Sequence, residues 1–278
     1  NALIPTNIGN EMKLHWSLFG KAMSKMLKGG IIPLVLFAFA SSAHAQSSSL
    51  TPEQERSIQK LIIKTIKERP EIVLEALKSF EAKKLASQHA LIQKTLTERS
   101  KDIFRNTDDP VGGNPDGDVT LVEFFDYRCG YCKRVHPSVM KLIKEDGNIR
   151  YVYKEFPILG PDSVYAARAA LASQPQGKYA EFSDALMASR GNLDKGRVLT
   201  IARKAGLDTA ALEKEMRAMK GDIERILQNN YKLAQELDID GTPGFVIGDR
   251  VIRGAVEFNA LKSVVAQTRV RNKESNNQ

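Results

Sequence analysis

"DYRCGYCKRVH", residues 126–136, holds both cysteines of the 278-residue chain, Cys129 and Cys132, with Gly130 and Tyr131 between them. A disulfide across three positions closes so small a loop that it removes little entropy from the unfolded chain, so stapling is a poor explanation. A structural zinc usually takes four protein ligands. Beyond residue 45 the chain offers only Cys129, Cys132, His136 and the distant His89. The expectation is therefore no metal and no cofactor. What remains is a reversible dithiol/disulfide pair, which needs one sulfur accessible and held as thiolate.

The flanking residues fit that chemistry. "VTLVEFFDY" (119–127) is a β-branched and aromatic run that reads as a buried strand. After it, "YCKRVHPSVMKLIKEDG" (131–147) puts Val135, Val139, Leu142 and Ile143 on one helical face and ends at Gly147. The cysteines thus sit at a helix N-terminus, where free N–H groups and the positive dipole end favour an anion. Cys129 is expected to be the nucleophile and the deeper Cys132 the resolving thiol. His136 reads as a solvent-facing or capping residue.

Strand, C-x-x-C, helix and the later "GTPGFVIG" (241–248) together resemble the thioredoxin fold of the DsbA family, over residues 118–267. "DYRCGYCK", "KEFPILGPDS" and "GTPGFVIG" are similar to the branch containing the Com-type outer-membrane antigens and the suppressor-of-copper-sensitivity thiol oxidoreductases. The resemblance implies a cis peptide bond before Pro243, beside the reactive sulfur, with the backbone of Thr242 pairing with substrate as an added strand. Glu123 and Lys154 interrupt buried-looking runs. Paired across neighbouring strands, they would relay protons to Cys132 or form an ion pair without catalytic weight. The dipeptide Gly130–Tyr131 lacks the histidine of the strongly oxidising "CPHC" type, and threonine precedes the proline. Both features are similar to the periplasmic isomerase DsbC.

The expected fold class is α/β: a thioredoxin-fold catalytic domain over 118–270 with a helical insertion at about 161–237, preceded by a helical oligomerisation segment. Met187, Met216 and Met219 fall at helical spacings and read as packing residues. "FVIGDRVIRGA" (245–255) reads as a hairpin turning at Gly248 and Asp249, a last helix covers about 259–269, and 271–278 is a polar tail. Residues 1–45 read as upstream sequence and an export signal, with lysines up to Lys28, the apolar run "GIIPLVLFAFA" (30–40) and small residues at Ala43 and Ala45. That run is too short to span a bilayer, which takes about 20 residues. The formal charge is +8, of which the first 45 residues supply Lys13, Lys21, Lys25 and Lys28 against Glu11. With acids and bases interspersed elsewhere and no aromatic-studded basic stripe, nucleic acid is excluded as a partner.

Residues 46–105 carry the remaining signal. Thr51, Pro52 and Gln54 form an N-terminal capping signature, and Ile58, Leu61, Ile62 and Ile66 follow at helical spacing up to Pro70. A second helix is expected over 71–104, with Leu85, His89, Ile92, Leu96, Arg99 and Ile103 as its seam. So sparse a stripe, followed by the Pro/Gly/Asp-rich linker 106–117, predicts a homodimer or homotrimer; folding back on the catalytic domain is the alternative. The resemblance implies exported client proteins with cysteines and a membrane redox partner, a DsbD-like reductant or a DsbB-like oxidant. It implies a periplasmic location, with the outer membrane or surface as a further address. The expected activity is disulfide isomerase with some oxidase character. A dedicated DsbA-like oxidase is the first alternative, a non-catalytic surface antigen the second.

Overall fold

The computed structural model describes residues 50–276. The export-signal reading and the last two tail residues lie outside them. The described chain divides into two units, with the boundary between Thr65 and Ile66.

Helix α1 (Pro52–Glu68), inside which that boundary falls, opens with a reciprocal cap. Gln54 N donates to Thr51 Oγ1 at 3.3 Å, and Thr51 N donates to Gln54 Oε1 at 2.9 Å. No residue of α1 is buried, and Leu61 is 63% exposed.

The second unit is built on five strands: β1 (Val111–Gly113), β2 (Val119–Phe125), β3 (Ile149–Glu155), β4 (Gly244–Ile247) and β5 (Arg250–Arg253), in the order β1-β3-β2-β4-β5. Only β2 and β3 are parallel. Helices α2 (Glu71–Glu98) and α3 (Ser100–Phe104) precede the sheet, and α4 (Gly130–Asp146) joins β2 to β3. Between β3 and β4 lie α5 (Pro161–Ala172), α6 (Tyr179–Ala188), α7 (Lys195–Lys204), α8 (Thr209–Ala218) and α9 (Lys220–Glu236). Helix α10 (Phe258–Asn276) closes the chain and runs several residues past the expected end.

Side chains alternate across a strand, so the sheet has two distinct faces. On one, Leu121, Phe125, Tyr151, Tyr153, Phe245 and Ile247 pack beneath α4, α10 and the inserted helices. On the other, Val122, Phe124, Val152 and Val246 pack with Leu96, Ile103, Leu233, Leu237 and Ile239. The α4 helix buries Cys132, Val135, His136, Val139, Leu142 and Ile143, spacings of three and four that follow from 3.6 residues per turn. It stops at Gly147, whose φ of 70° suits glycine and whose N–H caps the Ile143 carbonyl at 3.1 Å.

Three expectations change. The stretch 106–117, read as a linker, contains β1, which pairs antiparallel with β3. Its glycines are what close approach requires: a Cβ at Gly112 would lie 2.9 Å from Tyr153 Oη, and one at Gly113 would meet the Ile149 carbonyl. The expected helix over 71–104 breaks at Arg99, which pairs with Asp102 at 2.7 Å and with Glu236 at 2.5 Å. Past the middle of that helix the seam turns inward: Leu96 and Ile103 are buried in the second core, with Ile92 against it, while Leu74, Phe80 and Leu85 remain exposed. Finally, His136 is buried, its Nε2 3.0 Å from Asp184 Oδ1.

Candidate active site

Cys129 is the N-cap of α4, with φ −71° and ψ 116°, and its sulfur accepts from Cys132 N at 3.5 Å. Both thiols are free; Cys129 retains 6% exposure and Cys132 none. The peptide between Thr242 and Pro243 is cis, and the Thr242 carbonyl accepts from Cys129 Sγ at 3.2 Å. Residues 113 positions apart in sequence thus meet at one sulfur. A Cβ at Gly130 would touch nothing within 4 Å, and Tyr131 is 57% exposed with the Arg134 guanidinium 5.0 Å from its ring centroid.

The two sulfurs are driven apart electrostatically. The Cys129 pKa falls from 9.0 to about 5: the Cys132 thiol hydrogen-bonds its sulfur, and this outweighs burial, with Thr242 and the N–H groups of Cys132 and Tyr131 adding support. Cys132 moves up for the complementary reason, its proton held toward Cys129, with burial and the charge of Glu123 pushing the same way. One thiolate and one thiol at neutral pH is the arrangement that disulfide attack followed by resolution needs.

Glu123 and Lys154 do not form the expected pair. In the parallel register Glu123 stands opposite Tyr153, and Lys154 opposite Phe124. A one-residue offset puts their side chains on opposite faces of the sheet. Glu123 lies on the α4 face, where Tyr151 Oη donates to its Oε2 at 2.5 Å. Burial raises its pKa to about 7, against the hydrogen bond from Tyr151. Lys154, on the far face, pairs with fully buried Asp109 and donates to the Asp102 carbonyl at 2.7 Å. Burial lowers the Lys154 pKa and raises that of Asp109 to about 6, opposed in each case by the partner's charge.

Glu123→Gln follows as a test. A folded pKa raised from 4.5 to about 7 gives a contribution fully present below pH 4.5 and lost as pH rises through about 7. The variant is therefore expected to lack this loss, gaining on the wild type between pH 5 and pH 8 in urea titrations. Release of a mixed disulfide by Cys132 should slow by about tenfold or more, since a proton acceptor is lost. Equal single-turnover rates for the two proteins would exclude proton transfer through Glu123.

A further carboxylate and its partners escaped the sequence reading. Asp126 Oδ1 accepts from Arg128 N at 2.7 Å and Ser163 Oγ at 2.8 Å, and Oδ2 accepts from Leu159 N at 3.0 Å. It ties the cysteine loop to the segment before α5. Glu155, fully buried, accepts from Tyr127 Oη at 2.6 Å and Tyr179 Oη at 2.7 Å, and burial lifts its pKa to about 8. Tyr127, two residues before Cys129, is thereby held to β3 and, through Ser183 at 3.0 Å, to α6. Lys133 donates to the carbonyls of Leu186 and Ser189, both at 2.9 Å, closing the C-terminal end of α6. Only Glu155 among these lies on a strand, and sequence does not identify partners so far away along the chain.

A mixed sheet carrying a C-x-x-C pair at a helix N-terminus, opposite a cis-proline, defines a thioredoxin-type dithiol site. The chain belongs to the Thioredoxin family, whose model matches residues 105–267. It is similar to a thioredoxin-like oxidoreductase from Silicibacter pomeroyi DSS-3, at 46% identity over 61% of this chain and 96% of that one, with a TM-score of 0.59. It is also similar to the thiol-disulfide exchange protein alpha-DsbA2 from Wolbachia pipientis, at 30% identity over 65% and 97%, with a TM-score of 0.61. Among curated relatives it matches Na(+)/H(+) antiporter NhaA 1 of Salinispora arenicola, 31% identical over 175 residues, 59% of this chain. The chain spans about a quarter of the length of the curated relatives it matches. Among the described residues no helix is long and apolar enough to cross a membrane.

Proposed function

We propose that the chain is a periplasmic thiol:disulfide oxidoreductase acting on disulfides of exported proteins, chiefly as a disulfide isomerase with some oxidase activity. The observation that carries the reading is the place of Cys129 at the N-terminus of α4, where its sulfur accepts from Cys132 N beside the cis peptide of Pro243 and its pKa is drawn down to about 5. Its thiolate attacks one sulfur of a client disulfide, forming a mixed disulfide and expelling the other client sulfur as thiolate. In isomerisation that client thiolate, or another, attacks a further client disulfide and eventually displaces Cys129. In the redox branch Cys132 gives its proton to Glu123 and attacks the Cys129 sulfur, breaking the mixed disulfide, expelling the client sulfur as thiolate and leaving the Cys129–Cys132 disulfide. A membrane redox partner, DsbD-like or DsbB-like, resets the pair. Thr242 and Pro243 align the client backbone. Gly130 and Tyr131 set the surface that the client meets.

Self-association through residues 46–105 supports the isomerase emphasis, because two or three catalytic domains held together can retain a client between attacks. Ile58, Leu61 and Ile62 of α1, and Leu74 and Phe80 of α2, are exposed apolar side chains on helices of the kind that bury against a partner. A dedicated oxidase is the second reading, favoured by the Cys129 pKa of about 5, since stabilising the thiolate stabilises the reduced enzyme and makes the disulfide more oxidising. Refolding of a scrambled multi-disulfide client separates the two. The doubly substituted chain Leu61→Glu, Phe80→Glu is expected to sediment as a monomer and to lose most isomerisation while still oxidising a dithiol peptide. Full isomerisation by a monomeric variant would leave oxidase as the better reading.

A further inference from the structure

Beyond α2, large apolar side chains among the described residues are exposed at four positions, Tyr131, Leu159, Tyr231 and Val270. Three of them lie at the thiol site or on segments that run from it. Tyr131 sits between the cysteines. Leu159 is held to the cysteine loop by both of its backbone groups: Arg128 Nη1 donates to its carbonyl at 2.7 Å, and its N–H donates to Asp126. Tyr231 stands on α9 with its ring 5.9 Å from that of Phe156, the residue that follows β3. This pair borders a groove of about 530 Å³ on the α9 side of the sheet, floored by buried Phe156 and Ile239 and walled by half-buried Ile158 and exposed Tyr231.

The rim of the groove is acidic. Asp238 and Asp240 line it, and no lysine or arginine does. Asp238 pairs with Arg253 at 2.8 Å, whereas among the described residues no cation pairs with exposed Asp240. Both walls continue into the thiol site. Asp240 stands two residues before Thr242, whose carbonyl meets Cys129 Sγ at 3.2 Å, and Ile158 adjoins Leu159. Exposed apolar side chains gathered in one place mark a contact surface, and a single sign of charge along its edge selects a partner of the opposite sign.

From this continuity we infer that the groove takes the stretch of client polypeptide next to the cysteine that Cys129 attacks, and that it selects clients carrying apolar side chains beside a lysine or arginine in that stretch. The inference rests on the reading of Cys129 as the attacking thiol. The apolar side chains leave water against Tyr231, Ile158 and the floor, and the basic group meets Asp240. The client main chain between groove and cysteine continues into the strand added beside Thr242.

The test uses the reduced full chain and single-cysteine peptides activated as pyridyl disulfides. The Cys129 thiolate attacks the peptide sulfur, the peptide–pyridyl S–S bond breaks, and pyridinethione leaves with the electron pair, so its absorbance reads the rate. Each peptide is Gly/Ser-rich except for a block beside the cysteine, Leu-Phe-Arg, Leu-Phe-Glu or Ser-Gly-Ser, placed on one side or the other. On one of the two sides Leu-Phe-Arg is expected to react about tenfold or more faster than Ser-Gly-Ser. It should lead Leu-Phe-Glu by about threefold, a ratio that shrinks in about 0.5 M salt. Tyr231→Ala should remove most of the apolar preference and Asp240→Asn most of the charge preference. Dipyridyl disulfide, which has no flank to bind, reports the thiol alone. Slow reaction with it would overturn the reading of Cys129, and fluorescence anisotropy of serine-for-cysteine peptides would still judge the groove by the same order of affinities. Fast reaction with it but equal rates for the three blocks, or preferences that survive both substitutions, would overturn the groove alone. A change in sedimentation caused by Tyr231→Ala would assign the patch to a second copy of the chain and overturn the client as its occupant.

Discussion

Cys129→Ser is expected to reduce thiol–disulfide exchange to the uncatalysed rate, whereas Cys132→Ser should retain the first attack and accumulate mixed disulfides with clients. The asymmetry follows from the titration of the pair: Cys129 near 5, Cys132 moved upward. At pH 6 a thiol of pKa about 5 is some 300-fold more ionised than an ordinary one near 8.5. Its lower intrinsic nucleophilicity cuts the advantage in alkylation rate to roughly tenfold. Iodoacetamide modification of the reduced chain should therefore titrate with a midpoint near 5. A profile following the ordinary thiol would remove the basis of the active-site reading. The same depression acts on stability. A lowered folded pKa gives a contribution fully present above about pH 9 and lost as pH falls through about 5. The reduced form is accordingly expected to gain on the disulfide form as pH rises across that interval.

The largest effect on folding is expected at the other face of the sheet. Lys154→Ala removes a fully buried ammonium and leaves Asp109 buried with neither carboxylate oxygen paired, since its Oδ1 has no partner even in the intact protein. Breaking one half of a buried pair costs about 3–5 kcal/mol, and the bond to the Asp102 carbonyl goes with it. Urea titration should show this as a shifted midpoint, while the alkylation midpoint of Cys129 stays in place, because Glu123 and not Lys154 shares a face with α4. The double replacement Lys154→Met, Asp109→Leu should recover most of the loss. A cost under about 1 kcal/mol for Lys154→Ala, or a shift in the Cys129 titration, would contradict this division of the sheet.

The thiol site was legible from short range. Cys129, Cys132 and the helix behind them lie in one continuous stretch, and the proline loop at 241–244 carries its own local pattern. Glu123 stood out because a charge inside "VTLVEFF" has to be accounted for. Its partner was not legible, because an unaligned pair of strands does not state its register, and a shift of one residue exchanges Lys154 for Tyr153 as the neighbour and brings Tyr151 to the same face. Strand β1 was hidden for a different reason. The residues that let it pass over Tyr153 and Ile149 are glycines, which have no side-chain period and read as a turn. Tyr127, Glu155 and Tyr179 form one hydrogen-bonded group across three elements, a relation that only the assembled insertion brings together.

Because Ile103 packs on the sheet, Asp109 pairs with Lys154 and β1 is one of its strands, the chain cannot be divided at its most turn-rich stretch. A gene fusion joining a foreign N-terminal segment at residue 118 would inherit a sheet stripped of its outer strand and a lysine without its counter-ion. The transplantable module begins near Ile92, so recombination that exchanges the helical arm for another must carry everything from that residue onward.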